Sequence, residues 1–530
     1  MNVRPFPLRA LPLATLLAGV AFSLAVASTT REGVFYTGDG GVKFALTRQL
    51  ARGDLHADLR LPAEPWVADL WSQGLYPFDR PFAYEIEGRH YVKDPIFFSL
   101  VTAPLLALLG SPGLYVVPLL SLWAVWLVFL LLARRLEIGP ATSSLALAGV
   151  AFASPLTLYG AIYWEHTLAV ALAFGGIAVL AAEDGDAVPA WRAAAAGALV
   201  AFSAWFRSEH YWLVAVLALL ALLSRPLGLG LRRVPLLAGL LVPMAALSGV
   251  NVALYGHPLG VHAFQVTEPI GLSVRAANAA ATQGRLLRLL AEYFPVALPA
   301  LALAVAVLAR RRAAGAGSAQ RLLAWTSVLY VALLPVILPR PETGGDGGKQ
   351  WGPRFLLVAV PVLLALAALA APWLAALRSR ALRSAIAGAF LAGLALGVYQ
   401  NAWVGARDLA RDYSGRMLPL LEFLESDPAR IVAASEQFAA QEMMALADDR
   451  RFFFVKSPED LERLGVAARR HGQERYLFLS DQTVQGAGPI RADGETLLLS
   501  VAPIARYGWR LVAHEARVGP LTPPAQPAPR

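Results

Sequence analysis

Apolar runs long enough to cross a bilayer, interrupted at short charged intervals, constrain this chain more than any other feature. Inside hydrocarbon every backbone N–H and C=O needs a partner from its own segment, so such runs must be helices. About 20 apolar residues make one crossing. Candidate spans cover residues 10–28, 113–133, 141–158, 166–182, 191–206, 210–224, 234–254, 289–309, 321–339, 354–376 and 384–402, about eleven helices in all. The fold class they define is an all-α polytopic membrane protein. Hydrophobic residues make up 57% of the 530 and charged residues 16%, against about 25% charged in soluble domains. A shorter apolar run, 95–109, lies between Asp94-Pro95 and Gly110-Ser111-Pro112. It reads as an interfacial or re-entrant helix rather than a crossing.

The arginines orient the spans. If 95–109 does not cross, Arg4 and Arg9, Arg134-Arg135, Arg192, Arg225, Arg232-Arg233, Arg310-Arg311-Arg312 with Arg321, and Arg378, Arg380 and Arg383 share one side. The positive-inside rule makes that side the cytoplasm, with the amino terminus in it. If 95–109 did cross, every cluster from Arg134 onward would face out. Loops 29–112, 159–165, 207–210, 255–288 and 340–353 are therefore expected outside, together with everything after about 403. The first run, preceded by Arg4 and Arg9 and ending in Ala25-Val26-Ala27, also matches a cleavable signal peptide, an alternative that leaves the orientation unchanged.

The formal charge of +9 is no nucleic-acid signature. From Arg407 onward there are 16 basic and 17 acidic residues, so the preceding part holds the whole surplus, +10. Its basic residues lie mostly in short loops between spans, where they set topology. The absence of Cys excludes disulfides, thiolate metal sites and a Cys nucleophile.

The tail changes character. Arg430–Ala434, Arg451–Val455 and Arg475–Ser480 read as strands, and Glu436–Ala447 and Ser457–Arg470 as helices. The second helix has Ser457 as a cap, Pro458 at its first position and Glu459-Asp460 in its first turn. The expected organisation is a membrane domain over 1–402, with 29–112 as its large outer loop, and a small α/β domain over 403–519. A disordered Pro-rich end follows at 520–530.

Ionisable residues collect at the outer ends of the spans. Asp39 sits in Gly38-Asp39-Gly40-Gly41 of the first loop, which also holds Lys43, Lys93 and Asp94. Glu165 and His166 open the fourth span; Arg207, Glu209 and His210 join the fifth and sixth. Lys349, Trp351 and Arg354 precede the tenth. Charged groups at membrane depth are costly and line cavities or pair with one another. Acids beside Lys and Arg, without metal-type His spacing, suit transfer to a hydroxyl or amine from a phosphate-activated donor. A carboxylate such as Asp39 or Glu165 takes the acceptor's proton, and Lys93, Arg207, Lys349 or Arg354 holds the phosphate. The plain alternatives are a turn or cap for Asp39, a helix cap for Glu165, and polar helix junctions for His166, Glu209 and His210. For Trp351 the alternative is an aromatic belt; for Lys349 and Arg354 it is an ordinary loop.

Three local patterns then stand in order: Asp39 in the first outer loop, Lys93-Asp94-Pro95-Ile96-Phe97 leading into 95–109, and Trp351-Gly352-Pro353-Arg354-Phe355 leading into a late span. With the topology of residues 1–402, they resemble the GT-C superfamily of polyprenyl-phosphate-dependent glycosyltransferases, in its protein-mannosyltransferase and aminoarabinose-transferase branch. The resemblance implies inverting transfer of a hexosyl or pentosyl group from an undecaprenyl-type phosphate to a lipid, glycan or protein acceptor. The reaction would run on the periplasmic side of a bacterial inner membrane. Asp39 is then the general base, Lys93 a phosphate contact and Glu165 the second acid. Asp94 stands where the pattern has a proline, and Glu165 where many relatives have Asp. No cofactor is implied, and a divalent metal is not indicated.

Other function classes make different demands. A transporter or flippase for lipid-linked sugars needs charged pathway residues on the cytoplasmic half, where the loops are plain. A scaffold displaying the tail does not need acids and bases at several helix ends. An O-antigen-ligase-like enzyme differs only in taking a diphosphate-linked donor.

Overall fold

The computed structural model describes residues 10–183, 188–223, 232–266, 271–309, 317–338, 349–492, 495–507 and 511–520. Arg4, Arg9, Arg225, Arg310-Arg311-Arg312, Asp346 and the end 521–530 lie outside them. Two compact units form, and neither is a continuous stretch of chain. One comprises Met1–Thr29 with Leu100–Leu409, the other Thr30–Ser99 with Ala410–Arg530.

The first unit is helical. Among the described residues, four helices are long and apolar enough to cross a membrane: Gly113–Arg135, Arg233–Tyr255, Ser318–Ile337 and a helical run beginning at Arg380. The expected span 289–309 is instead the junction of two helices, Leu272–Tyr293 and Ala297–Ala309, bent by 120°. Pro295 sits at the break, where its ring and missing N–H stop the ladder. Counting that pair as one span gives five. Leu11–Ala27, Phe97–Leu109, Pro140–Phe152, His166–Ala181, Ala190–Ser203, His210–Leu223 and Ala359–Ala375 are apolar but only 10–17 residues long. At 1.5 Å per residue such helices fall short of a hydrocarbon core of about 30 Å. The structure thus supports fewer full-length spans than the apolar runs led us to expect. Several helices stop where the outer-end polar residues begin, as Ala190–Ser203 does before Arg207.

Small residues let these helices approach closely, as packing without a water-driven hydrophobic term requires. Ala190–Ser203 lies between His166–Ala181 and Arg233–Tyr255. A β-carbon on Gly239 would stand 2.0 Å from the Ala194 carbonyl oxygen.

The second unit combines a mixed sheet with the first-loop segment. Its strands are β1 (Ala83–Ile86), β2 (Arg89–Val92), β3 (Ile431–Ala434), β4 (Arg451–Phe454), β5 (Arg475–Ser480), β6 (Gly486–Ala492), β7 (Glu495–Tyr507) and β8 (Leu511–Pro520). β1 and β2 form a separate hairpin, and the other six follow the order β4-β3-β5-β8-β7-β6. β3 is parallel to β4 and β5, while β5, β8, β7 and β6 pair antiparallel. The three expected strands fall within a residue of their places. Ser457 caps helix Pro458–Arg470, its hydroxyl accepting the Asp460 N–H. The expected helix 436–447 is shorter: Gln437–Glu442 followed by a 3-10 turn, Met444–Leu446.

Residues 30–99 fold onto this sheet by long-range contacts. The Trp71 indole N–H donates to the Phe452 carbonyl at 3.1 Å. Arg451 makes a two-pronged bond to Glu64, Nε at 2.8 Å and Nη2 at 3.1 Å. The Asp79 N–H donates to the Gln437 side chain at 2.7 Å. Arg48 reaches the Ala445 carbonyl at 3.1 Å and the Asp448 carboxylate at 3.1 Å.

Candidate active site

In the second unit the segment expected as the first outer loop is not an irregular turn at Asp39. Residues Gly38–Ala51 form a helix, capped by Thr37, whose hydroxyl accepts the Gly40 N–H at 3.3 Å. Asp39 occupies the first helical turn, where the positive end of the helix dipole favours an anion. It is 8% exposed. The Lys93 ammonium donates to both carboxylate oxygens, at 3.0 and 3.1 Å. Lys93 follows β2 directly, and its N–H bonds the Phe82 carbonyl at 3.0 Å, so the β1–β2 hairpin fixes where the ammonium is delivered. The hairpin turns through Glu87 and Gly88, both at positive φ (52° and 72°).

One helical turn beyond Asp39, Lys43 lies on the same helix face. It is 3% exposed and pairs with Asp94 at 3.5 Å. Neighbouring residues Lys93 and Asp94 thus answer Asp39 and Lys43, two cations against two carboxylates. Buried charges are tolerated when paired in this way. Asp94, which departs from the proline of the resembled pattern, has a structural reason in Lys43. The Asp39/Lys43 spacing was visible in the sequence, but only once that segment is read as helix does it put both charges on one face.

A second buried cluster stands in the first unit. Arg207 (8% exposed) bonds Glu165 (1%) through Nη1 at 2.8 Å and Glu209 (4%) through Nε at 2.9 and 3.2 Å. Glu165 occupies the cap position of helix His166–Ala181 yet makes no side-chain cap bond. Its carboxylate serves Arg207 instead, against the simple capping alternative. The Arg354 guanidinium lies 5.0 Å from the Phe355 ring centre and 5.6 Å from that of Trp164, with Arg207 5.8 Å from Phe355. His166 packs against Trp164 and Tyr159, ring centres 4.7 and 4.9 Å away. The Tyr159 hydroxyl donates to the Trp351 carbonyl at 3.1 Å, and the Trp351 indole donates to Asn401 at 3.0 Å. His210 shares a 2.8 Å bond with Ser203. Lys349 lies two residues before Trp351 and is partly exposed.

The expected site residues therefore fall into two sets, each described within its own unit: Asp39 with Lys93, and Glu165, His166, Arg207, Glu209, His210, Trp351 and Arg354. Sequence reasoning passed over Tyr159 and Asn401, which carry no charge to signal them, named Phe355 only within the Trp351–Phe355 pattern, and gave Lys43 and Asp94 no role. Among the described residues no three His, Asp or Glu side chains are placed to hold a metal ion.

No protein-family profile matches the chain, and no curated protein does. Solved structures do resemble it. ArnT from Cupriavidus metallidurans bound to undecaprenyl phosphate superposes with a TM-score of 0.53 at 13% identity, over 94% of this chain and 97% of that one. The same protein in the apo state gives 0.48 at 14% identity over the same shares. The apo oligosaccharyltransferase of Archaeoglobus fulgidus gives 0.47 at 11% identity, over 82% of this chain and 64% of that one. Of these, the undecaprenyl-phosphate-bound ArnT superposes above 0.5, and at 13% identity the likeness is one of architecture alone. Along nearly its whole length, the chain shares the fold of ArnT as solved with undecaprenyl phosphate.

Proposed function

We propose that the protein is an integral-membrane, inverting glycosyltransferase that moves a hexosyl or pentosyl group from a polyprenyl-phosphate donor to a lipid, glycan or protein acceptor. The observation that carries this reading is the buried Asp39–Lys93 pair at a helix amino end, in a chain with the fold of an enzyme solved with undecaprenyl phosphate. The acceptor oxygen attacks the anomeric carbon of the sugar as its proton passes to the Asp39 carboxylate. The bond from that carbon to the phosphate oxygen breaks, and its electrons leave with the polyprenyl phosphate. Lys93 turns from Asp39 to the phosphate, freeing the carboxylate for the proton and offsetting the charge that develops on the leaving group. Within the first unit, Arg207, Lys349 and Arg354 are the further cations suited to a phosphate. Glu165 and Glu209 orient Arg207; His166, His210 and Trp351 shape its surroundings.

The topology that goes with this reading has about eleven crossings. The amino terminus is cytoplasmic, and the loop bearing Asp39 and the tail domain lie on the periplasmic side of a bacterial inner membrane. The arginine distribution supports it. Purified protein given a panel of polyprenyl-phosphate and polyprenyl-diphosphate sugars tests the reaction class. Turnover of monophosphate donors is expected. Turnover of diphosphate donors alone makes the protein an O-antigen-ligase-like transferase, and turnover of neither removes the reading.

A further inference from the structure

Helix Gln437–Glu442 of the tail meets Gly38-Asp39-Gly40-Gly41 too closely for any side chain at the two outer glycines. A β-carbon on Gly41 would lie 1.7 Å from the Gln441 main-chain oxygen. One on Gly38 would lie 1.9 Å from the Gln441 side-chain oxygen, 2.9 Å from its Cδ and 3.1 Å from its Cβ. Gln441 is fully buried, 0% exposed, and neither its amide oxygen nor its amide nitrogen has a hydrogen-bond partner among the described residues. Leaving both ends of a buried amide unbonded is costly, and a polar group kept at that cost calls for a reason. Packing does not supply one, since a methionine has much the same length and volume without a polar penalty.

The remainder of helix Gly38–Ala51 is clamped by polar bonds. Arg48 holds the Ala445 carbonyl and Asp448, and Arg52 also binds Asp448. Those bonds act at the carboxyl half of the helix. The first turn, which carries Asp39, has its Gly40 and Gly41 N–H groups bonded to Thr37 and is met by the Gln441 amide.

We infer that Gln441 is a positioning residue for Asp39: its amide is wedged against Gly38 and sets how the first helical turn presents the carboxylate. The inference rests on the proposed role of Asp39 as base. The tail then contributes to turnover directly, through the end of one short helix, and the two outer glycines are there because that helix must come so near.

The test uses the full chain in detergent or nanodiscs, with kcat and donor KM measured beside a thermal melt. Gln441→Met keeps the packing and removes the amide. It is expected to melt at or above wild type, with kcat lowered about tenfold and donor KM unchanged, as for a loss felt only in the transition state. Wild-type kcat in Gln441→Met overturns the inference. A second arm does not depend on that variant folding. Gly38→Ala collides with the Gln441 side chain, and Gly38→Ala/Gln441→Ala removes the two nearest colliding atoms, Oε1 and Cδ, so kcat of the double variant should be no lower than that of Gly38→Ala. If the two losses simply multiply, the residues are not coupled and the inference is wrong. Asp39→Asn, run alongside, separates the failures: near-normal turnover there sinks the base assignment itself, whatever Gln441 does.

Discussion

Removing the Arg207 side chain should damage the protein more than removing either acid that it binds. One guanidinium serves two buried carboxylates, with bonds of 2.8 Å to Glu165 and 2.9 and 3.2 Å to Glu209. Arg207→Met fills similar space yet withdraws the cation from both acids. Breaking a buried pair from one side costs about 3–5 kcal/mol, because the charge left behind stays desolvated. Glu165→Gln is gentler. The amide oxygen still accepts from Arg207, Glu209 still balances the charge, and the loss is that of a charge-assisted bond turned neutral, about 1 kcal/mol. Each kcal/mol moves the melting temperature by about 2–4 °C in a domain of 150–250 residues, and less in a larger one. The unit that holds Arg207 is larger than that, so at about 1–2 °C per kcal/mol Arg207→Met should melt about 3–10 °C below wild type and Glu165→Gln about 1–2 °C below. Intrinsic tryptophan fluorescence can follow both variants, given 13 tryptophans in the chain, at one scan rate and one detergent concentration because such melts are rate-dependent. If Arg207→Met melts with the wild type, or if Glu165→Gln proves the worse of the two, the charge argument for this cluster is wrong.

Three further outcomes follow from the second unit. Gly41→Ala sets a β-carbon against a main-chain oxygen with no side chain able to yield; it should destabilise by about 1–3 kcal/mol and speed proteolysis of the tail in full-length protein. Ser457→Ala removes the cap of helix Pro458–Arg470 and should cost about 1 kcal/mol in a urea titration that follows the tail. Hydrogen bonds from Arg475 hold the Asp427 carboxyl below its ordinary value, with burial working against them. A depressed folded-state pKa means that this contribution is complete above the unfolded value of about 3.9 and is lost as pH falls through it and below. Asp427→Asn should therefore flatten the acid limb of the stability curve, and an unchanged limb would show that the pair contributes nothing.

Local signals were legible in the sequence. Ser457-Pro458-Glu459-Asp460 announced a helix start, and the apolar strands of the tail, alternating with helices, announced a small α/β domain. The antiparallel strands β6 to β8 were not read, because Gly486, Gly488, Pro489 and Pro503 break the alternation that marks a strand. The helix at Asp39 was missed for a related reason: three glycines in its first turn read as loop, whereas close approach of Gln441 is what demands two of them. The grouping of residues 30–99 with the tail depends on partners up to 400 positions apart, such as Arg48 with Asp448, and no local pattern encodes them. For the candidate site, charged residues announced themselves by their cost at the ends of apolar runs. Their partners did not, since whether Glu165 caps a helix or binds Arg207 is a matter of tertiary packing.

The central claim, that Asp39 is the base of a transfer from a polyprenyl-phosphate sugar, is tested most directly by Asp39→Asn in the purified full-length protein. The assay is transfer from the best monophosphate donor of the panel, with a thermal melt beside it. Loss of a general base predicts a fall in kcat of about 10²–10⁴-fold, with the fold retained. Turnover within a few-fold of wild type in a well-folded Asp39→Asn protein would contradict the account.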